Sequence, residues 1–78
     1  MNGDDEMAIE KVTLPVARKI AGYTQISLGN ALGVSESTVI NWEKGRSEPT
    51  VSQAQRISEL TGIPLDSIIF LTADTVKP

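Results

Sequence analysis

Glycines divide this chain into short segments, and no other feature of the sequence restricts the fold as strongly. Four of them follow stretches whose apolar residues recur at helical spacing: Gly22, Gly33, Gly45 and Gly62. Glycine adopts the left-handed backbone conformation that ends a helix without a steric cost. Three of the predicted helices are preceded by a hydroxyl residue that can cap the helix start: Thr24, Ser35 and Thr50. We therefore expect short helices with tight connections, forming a compact all-α domain.

The apolar pattern predicts five helices, the fourth opening with a capping box of Thr50 and Gln53. They are expected to begin after Thr13, after Thr24, at Glu36, after Thr50 and at Pro64. The residues expected to face the core are, in that order, Leu14, Ala17 and Ala21; Leu28, Ala31 and Leu32; Val39 and Trp42; Val51, Ala54, Ile57 and Leu60; and Leu65, Ile68 and Ile69.

Two features fall outside this regular pattern. Gly29 lies inside the second helix, where glycine costs about 1 kcal/mol relative to alanine, so we expect another backbone to approach closely there. Val16 and Ile20 form a second apolar pair on the first helix. They are expected to pack on the N-terminal arm or on the fifth helix. The alternative is that they form part of a surface that binds a partner.

The absence of cysteine and histidine from the 78 residues narrows the range of functions. Without cysteine there is no disulfide and no thiolate metal site, and without histidine the usual general base and zinc ligand are missing. We therefore expect one small domain that is not an enzyme and holds neither a metal nor a cofactor. The chain has no apolar run of membrane-spanning length and no signal-peptide pattern at its acidic start, so a cytoplasmic location is expected.

The charge of the chain is acidic overall but unevenly distributed. The net charge is −3, and four acids lie within the first ten residues: Asp4, Asp5, Glu6 and Glu10. Residues 1–12 are therefore predicted to form a flexible acidic arm and residues 72–78 a tail, around a domain at 13–71. The arm would be solvated, or it would compete with phosphates for the basic residues. DNA-binding domains are usually basic, so the acidity favours a protein-binding alternative.

The second and third helices form the outline of a helix-turn-helix, which any small helical bundle can share. Their residues are more specific, because RKIAGYTQISLGNALGVSESTVINWEKGRSEPT resembles the helix-turn-helix of the Xre family, which includes phage repressors and Cro proteins. The matching positions are Arg18, Gly22, Tyr23, Thr24, Gln25, Leu28, Gly29, Leu32, Gly33, Val34, Ser35, Ser37, Thr38, Val39, Trp42, Glu43, Gly45 and Pro49. The resemblance covers about residues 13–71 and implies a five-helix domain of the lambda-repressor type. The acidity of the chain and Glu36 depart from the family pattern.

The resemblance also implies a function and roles for particular residues. The chain would be a sequence-specific regulator of transcription that binds double-stranded DNA, with its third helix in the major groove. Arg18 and Glu43 would form a partly buried ion pair joining the first helix to the third. The expected phosphate contacts, besides the capping role of Ser35, are Thr24, Gln25, Ser35, Lys44 and Arg46. Free amides and the helix dipole make the start of the second helix suitable for a phosphate.

The polar side of the third helix holds the expected base-reading residues: Glu36, Ser37, Thr38, Ile40 and Asn41. Ser37 and Asn41 are the first candidates, since asparagine can bond adenine bidentately, worth roughly 1–3 kcal/mol of discrimination. Thr38 would reach a phosphate or a thymine methyl. Ile40 would meet a thymine methyl or a sugar, or else be a partly covered surface residue. Glu36 would accept from cytosine N4 or, as we prefer, serve as a favourable acid near the helix start.

Binding as a homodimer is expected, in solution or only on DNA, because so short a chain has no room for a separate dimerisation domain. Two copies would bind an inverted repeat whose half-sites lie about one helical turn, roughly 34 Å, apart. By resemblance the dimer surface is the end formed by Ile68, Ile69, Phe70 and Leu71. The alternative is an acidic helix-turn-helix module, such as an anti-repressor or an antitoxin, that binds a protein partner.

Overall fold

The computed structural model describes residues 11–71, so positions 1–10 of the predicted arm and the predicted tail at 72–78 lie outside the described residues. Four α-helices make up most of this part of the chain: α1 Leu14–Ile20, α2 Gln25–Leu32, α3 Glu36–Glu43 and α4 Val51–Thr61. Two short strands, β1 Val12–Thr13 and β2 Ile68–Ile69, pair in parallel, with Val12 opposite Ile68 and Thr13 opposite Ile69. The predicted helical domain with a helix-turn-helix is confirmed.

The predicted caps explain where three of the helices begin. Thr24, Ser35 and Thr50 are the N-cap residues of α2, α3 and α4, and each hydroxyl accepts a hydrogen bond from the backbone N–H three residues later. The capping box of α4 is complete, because Gln53 Oε1 accepts from the backbone N–H of Thr50 at 2.8 Å. Such a cap contributes about 1 kcal/mol, so local chemistry alone sets these boundaries.

The segment predicted as a fifth helix is instead a single 3-10 turn at Leu65–Ser67 followed by strand β2. Adjacent β-branched isoleucines favour extended backbone, and β1 supplies the partner strand. Val12 therefore belongs to the strand pair rather than to the predicted arm. Ile68 is buried as expected, but Ile69 is 38% exposed, because successive side chains of a strand point to opposite faces.

The core lies where α1, α2, α3 and α4 meet the strand pair, and its buried residues are Leu14, Ala17, Leu28, Val39, Trp42, Ile57, Ile63 and Ile68. Ile63 was not predicted. Ala31 is exposed because the buried face of α2 runs through Leu28 and Gly29 instead. Val51 is 74% exposed, since the side chain of a first helical residue leans past the end of the helix.

The second apolar pair of α1 remains on the surface of the described chain, with Val16 44% and Ile20 64% exposed. The two residues are therefore not covered by the segment at 64–71, which was one of the packing arrangements expected for them. The helices within residues 11–71 are also all too short to cross a membrane, the longest having 11 residues.

Candidate nucleic-acid interface

The helix-turn-helix is held together by a close contact between the backbones of α2 and the turn before α3. A Cβ atom at Gly29 would lie 2.8 Å from the backbone oxygen of Val34, so only glycine fits and the predicted close approach is confirmed. The backbone N–H of Val34 donates to the Gly29 carbonyl at 2.9 Å. Gly33 turns the chain with a φ of 76°. These contacts fix the start of α3 against α2.

Arg18 and Glu43 join α1 to the end of α3 as a buried ion pair. Arg18 Nε donates to Glu43 Oε2 at 2.6 Å and Nη2 donates to Oε1 at 3.3 Å. The two side chains are only 9% and 7% exposed. Arg18 Nη1 also donates to the Tyr23 carbonyl at 3.0 Å, so the guanidinium connects the α1–α2 turn as well. A buried charge requires such complete pairing, and the pair orients α3 against the rest of the domain.

Gln25, the first residue of α2, takes part in the same cluster. Its Nε2 donates to Glu43 Oε1 at 3.0 Å, so one side-chain N–H is engaged inside the protein. The first backbone N–H groups of a helix have no acceptor within the helix. That of Ser27 is capped by the Thr24 hydroxyl, which leaves those of Gln25 and Ile26 available to an anion. The phosphate contact predicted for the Gln25 side chain stays a prediction.

Three of the five predicted base-reading residues lie on one face of α3, and a predicted phosphate contact, Lys44, follows them on the same face. Ser37, Ile40, Asn41 and Lys44 follow the i, i+3, i+4, i+7 spacing of one helix face, opposite the buried Val39 and Trp42. Ser37 is exposed, and Ile40 and Asn41 are half-buried. We call Ser37, Ile40 and Asn41 the polar row. Two of its side chains donate and accept hydrogen bonds and one is apolar, and the cation Lys44 follows one turn later, just past the end of α3.

The remaining predicted residues of α3 surround its first turn. Ser35 Oγ accepts from the backbone N–H of Thr38 at 3.1 Å and lies 3.0 Å from Thr38 Oγ1. Ser35 is therefore a cap, as expected, and its hydroxyl is shared with Thr38. Glu36 is exposed at the positive end of the helix, where a carboxylate is favourable. Thr24 likewise caps α2 by accepting from the Ser27 N–H at 2.9 Å.

An open groove between the end of α1 and the starts of α2 and α3 contains residues that the sequence interpretation left without a role. Lys19 and Ile26 line it together with Gln25 and Glu36. Ile26 is 55% exposed, and Lys19 carries a charge that its place in the last turn of α1 turns outward. Nothing in the sequence indicated that Ile26 is exposed. Lys19 could have been noticed, because it lies one turn before Gly22, the glycine that ends α1.

The exposed cations near the polar row form no ion pair within the described part of the chain. Within residues 11–71 the ion pairs join Arg18 to Glu43 and Arg56 to Glu59, so the exposed Lys19, Lys44 and Arg46 pair with no carboxylate of that range. The same part of the chain has no cluster of acidic residues that could hold a metal ion. Hydrogen-bonding side chains, helix-start amides without an acceptor, and cations that are unpaired within the described residues are all suited to binding a polar or anionic partner.

Comparison with known proteins agrees with the helix-turn-helix of the fold. A helix-turn-helix family model matches residues 16–68. An uncharacterised HTH-type transcriptional regulator of Methanocaldococcus jannaschii is 33% identical over 64 residues, covering 82% of this chain and 97% of that protein. Another from Methanothermobacter thermautotrophicus is 38% identical over 61 residues, covering 77% and 88%. No solved structure matches the chain significantly. The chain belongs to the helix-turn-helix family, of the Xre-like type that its sequence resembles.

Proposed function

We propose that this protein is a sequence-specific transcriptional regulator of the phage repressor and Cro kind, which binds double-stranded DNA with α3 in the major groove. The observation that carries the proposal is the polar row of α3. It lies on the side of α3 opposite the buried Val39 and Trp42. The start of α3 is fixed by the Gly29 contact and its end by the Arg18–Glu43 pair. A helix held at both ends can present side chains to base edges with the accuracy that hydrogen bonds require.

Ser37 and Asn41 read base edges in this proposal, since both are polar members of the row. Ile40, between them on the same face, contacts a thymine methyl group or a sugar. Thr38 and Glu36 flank the row, and Thr38 reaches a phosphate or a thymine methyl group. Glu36 acts mainly on the helix dipole, and in contact with DNA it can accept a hydrogen bond only from a base donor such as cytosine N4.

Phosphates are contacted on either side of the row. The start of α2, with Thr24 and the amide of Gln25, meets one backbone, and Ser35 contributes beside it. Lys44 and Arg46 follow the other end of α3. Both residues are exposed, so their charged groups can reach phosphates.

The acidic composition restricts how much electrostatic attraction can contribute to the affinity for DNA. Three exposed cations near the polar row, Lys19, Lys44 and Arg46, form no ion pair within residues 11–71. The exposed Glu36 and Glu48 oppose their charge. If three phosphates are neutralised per domain, the logarithm of the binding constant falls with the logarithm of salt concentration with a slope of about −3. Affinity for the correct sequence must therefore come largely from hydrogen bonds and apolar contacts. Non-specific binding should be weak.

A homodimer on an inverted repeat would double these contacts. Exposed apolar side chains near the end of the described chain, Ile69 and Leu71, are 38% and 39% exposed and support a dimer contact there. Ile68 is buried at 6% and supports the core instead. Such a protein would work in the cytoplasm, where its operator is accessible.

The test is selection from a pool of randomised duplex DNA at two salt concentrations, followed by sequencing of the bound fraction. The proposal predicts one enriched half-site, or two copies as an inverted repeat, and weaker binding at the higher salt concentration. If no duplex is enriched and no DNA is retained even at low salt, the proposal fails. The acidic chain would then be a module that binds a protein partner.

A further inference from the structure

A hydrogen bond joins the first residue of α2 to the last residue of α3. Gln25 Nε2 donates to Glu43 Oε1 at 3.0 Å across 18 positions of sequence. The turn at residues 33–35 already connects the other ends of these two helices. The helix pair is therefore closed at both ends, at one by the chain itself and at the other by this side-chain contact.

The contact is part of a larger cluster whose other members are charged and buried. The Glu43 carboxylate also accepts two hydrogen bonds from Arg18, and Arg18 in turn donates to the Tyr23 carbonyl. Gln25 is the neutral, half-buried member, and it borders the groove beside Glu36. Arg18 lines the same groove, but Gln25 is the member of the cluster that belongs to α2 and so connects the ion pair to the start of that helix.

We propose that the Gln25 side chain is a positioning residue, which fixes the angle of α3 through Glu43 and so contributes to sequence discrimination rather than to general affinity for DNA. This inference rests on the proposed function. The backbone amide of Gln25 takes no part in the bond to Glu43, so the phosphate contact proposed for that amide is compatible with this role of the side chain.

A small tilt of α3 is enough to disturb the base contact proposed for Asn41. An α3 of 8 residues is about 12 Å long at 1.5 Å per residue. Asn41 lies two positions from Glu43, at the end of the helix that the bond holds. A hydrogen bond to a base tolerates only about 0.5 Å in donor–acceptor distance, so a tilt that moves the end of α3 by about 1 Å disrupts base contacts at Asn41. Contacts of flexible lysine and arginine side chains with phosphates survive such a shift.

The first experiment compares Gln25→Met with wild type on the selected operator and on random-sequence duplex. Methionine keeps the length and flexibility of glutamine but cannot donate a hydrogen bond. Gln55→Met, the same substitution at an exposed position of α4, is the matched control. We expect Gln25→Met to lower affinity for the operator about tenfold and for random DNA less than twofold, with Gln55→Met unchanged on both.

Equal losses on both kinds of DNA would mean that the side chain contacts a phosphate, and would overturn the proposal. No loss on either would overturn it as well. A circular dichroism melt shows whether Gln25→Met is folded at the assay temperature, so that unfolding is not read as lost affinity.

A second measurement needs no DNA and separates this inference from the proposed function. Residual dipolar couplings of backbone amides report the angle between α2 and α3 in wild type and in Gln25→Met. The proposal predicts that this angle changes while α2 keeps its orientation to α4. An unchanged α2–α3 angle would refute positioning, whether or not the protein binds DNA. Failure of wild type to bind any duplex would instead refute the proposed function, and with it the role in sequence discrimination, while the measured α2–α3 angle would still test the positioning.

Discussion

Replacing Glu43 by glutamine should destabilise the protein by about 3–5 kcal/mol, because it leaves the Arg18 guanidinium buried without its countercharge. The two side chains are 9% and 7% exposed, so water cannot take the place of the lost carboxylate. Arg18 would keep its bond to the Tyr23 carbonyl, which is dipolar and does not neutralise the charge. Domains of this size are typically stable by about 4–12 kcal/mol, so the substitution removes a large part of the total.

The matched control is Glu59→Gln, which changes the net charge by the same amount. Glu59 pairs with Arg56 at 3.2 Å, but these side chains are 67% and 55% exposed. A solvent-exposed pair of this kind contributes about 0.5 kcal/mol or less. Urea denaturation of both variants and wild type, at one pH and one salt concentration, gives the two free-energy differences, provided that the m-value is unchanged.

A third variant tests the reason for the loss. The double substitution Arg18→Met with Glu43→Leu removes both charges, and it should recover much of the stability that Glu43→Gln loses, because no buried charge remains. The reasoning would be refuted if Glu43→Gln cost less than about 1 kcal/mol, the usual limit for exposed pairs. It would also be refuted if the double variant were no more stable than Glu43→Gln.

Three further outcomes follow from other contacts. Gly29→Ala should lower the free energy of unfolding by about 1–3 kcal/mol in urea, despite alanine's helix propensity, because its Cβ meets the Val34 carbonyl; an unchanged or more stable variant would contradict that contact. Thr50→Ala should cost about 1 kcal/mol in the same assay by removing the cap of α4, and no loss would mean that the capping box is unimportant. Arg46→Ala should weaken binding to all DNA sequences and reduce the salt slope by about 1, whereas Arg56→Ala on α4 should leave the slope unchanged; equal slopes for the two would remove Arg46 from the phosphate contacts.

The parts of the fold that could be predicted are those determined within a few residues of chain. Thr24, Ser35 and Thr50 bond to amides three positions away, so their capping roles are visible in the sequence. Gly29 could be interpreted for a similar reason, because a glycine inside a helix has an energetic cost that a backbone contact explains. The pairing of Arg18 with Glu43, by contrast, was expected only through the resemblance to a family.

The prediction of a fifth helix was wrong because it ignored a distant partner. Helical spacing of Leu65, Ile68 and Ile69 is compatible with a helix, and a run of four to eight apolar residues does not distinguish helix from strand. The strand forms because Val12–Thr13, far away in sequence, pairs with Ile68–Ile69. No residue near position 68 indicates that the strand at Val12–Thr13 will pair with it.

For the site, too, the sequence predicted what depends on local helix geometry but not the contacts between distant parts of the chain. The members of the polar row were predicted because helix periodicity places them opposite Val39 and Trp42. The bond between Gln25 and Glu43 was not, because it depends on how α2 and α3 cross. Lys19 received no role from the sequence, since its place beside the groove depends on the packing of α1.

The most direct test of the central claim, that α3 reads bases through its polar row, is to compare the DNA motifs selected by wild type and by Asn41→Ala. The account predicts that Asn41→Ala loses the preference for one base pair in each half-site, by about 1–3 kcal/mol, while the other positions and the half-site spacing stay the same. An Asn41→Ala protein that selects the wild-type motif with unchanged preference at every position would contradict it.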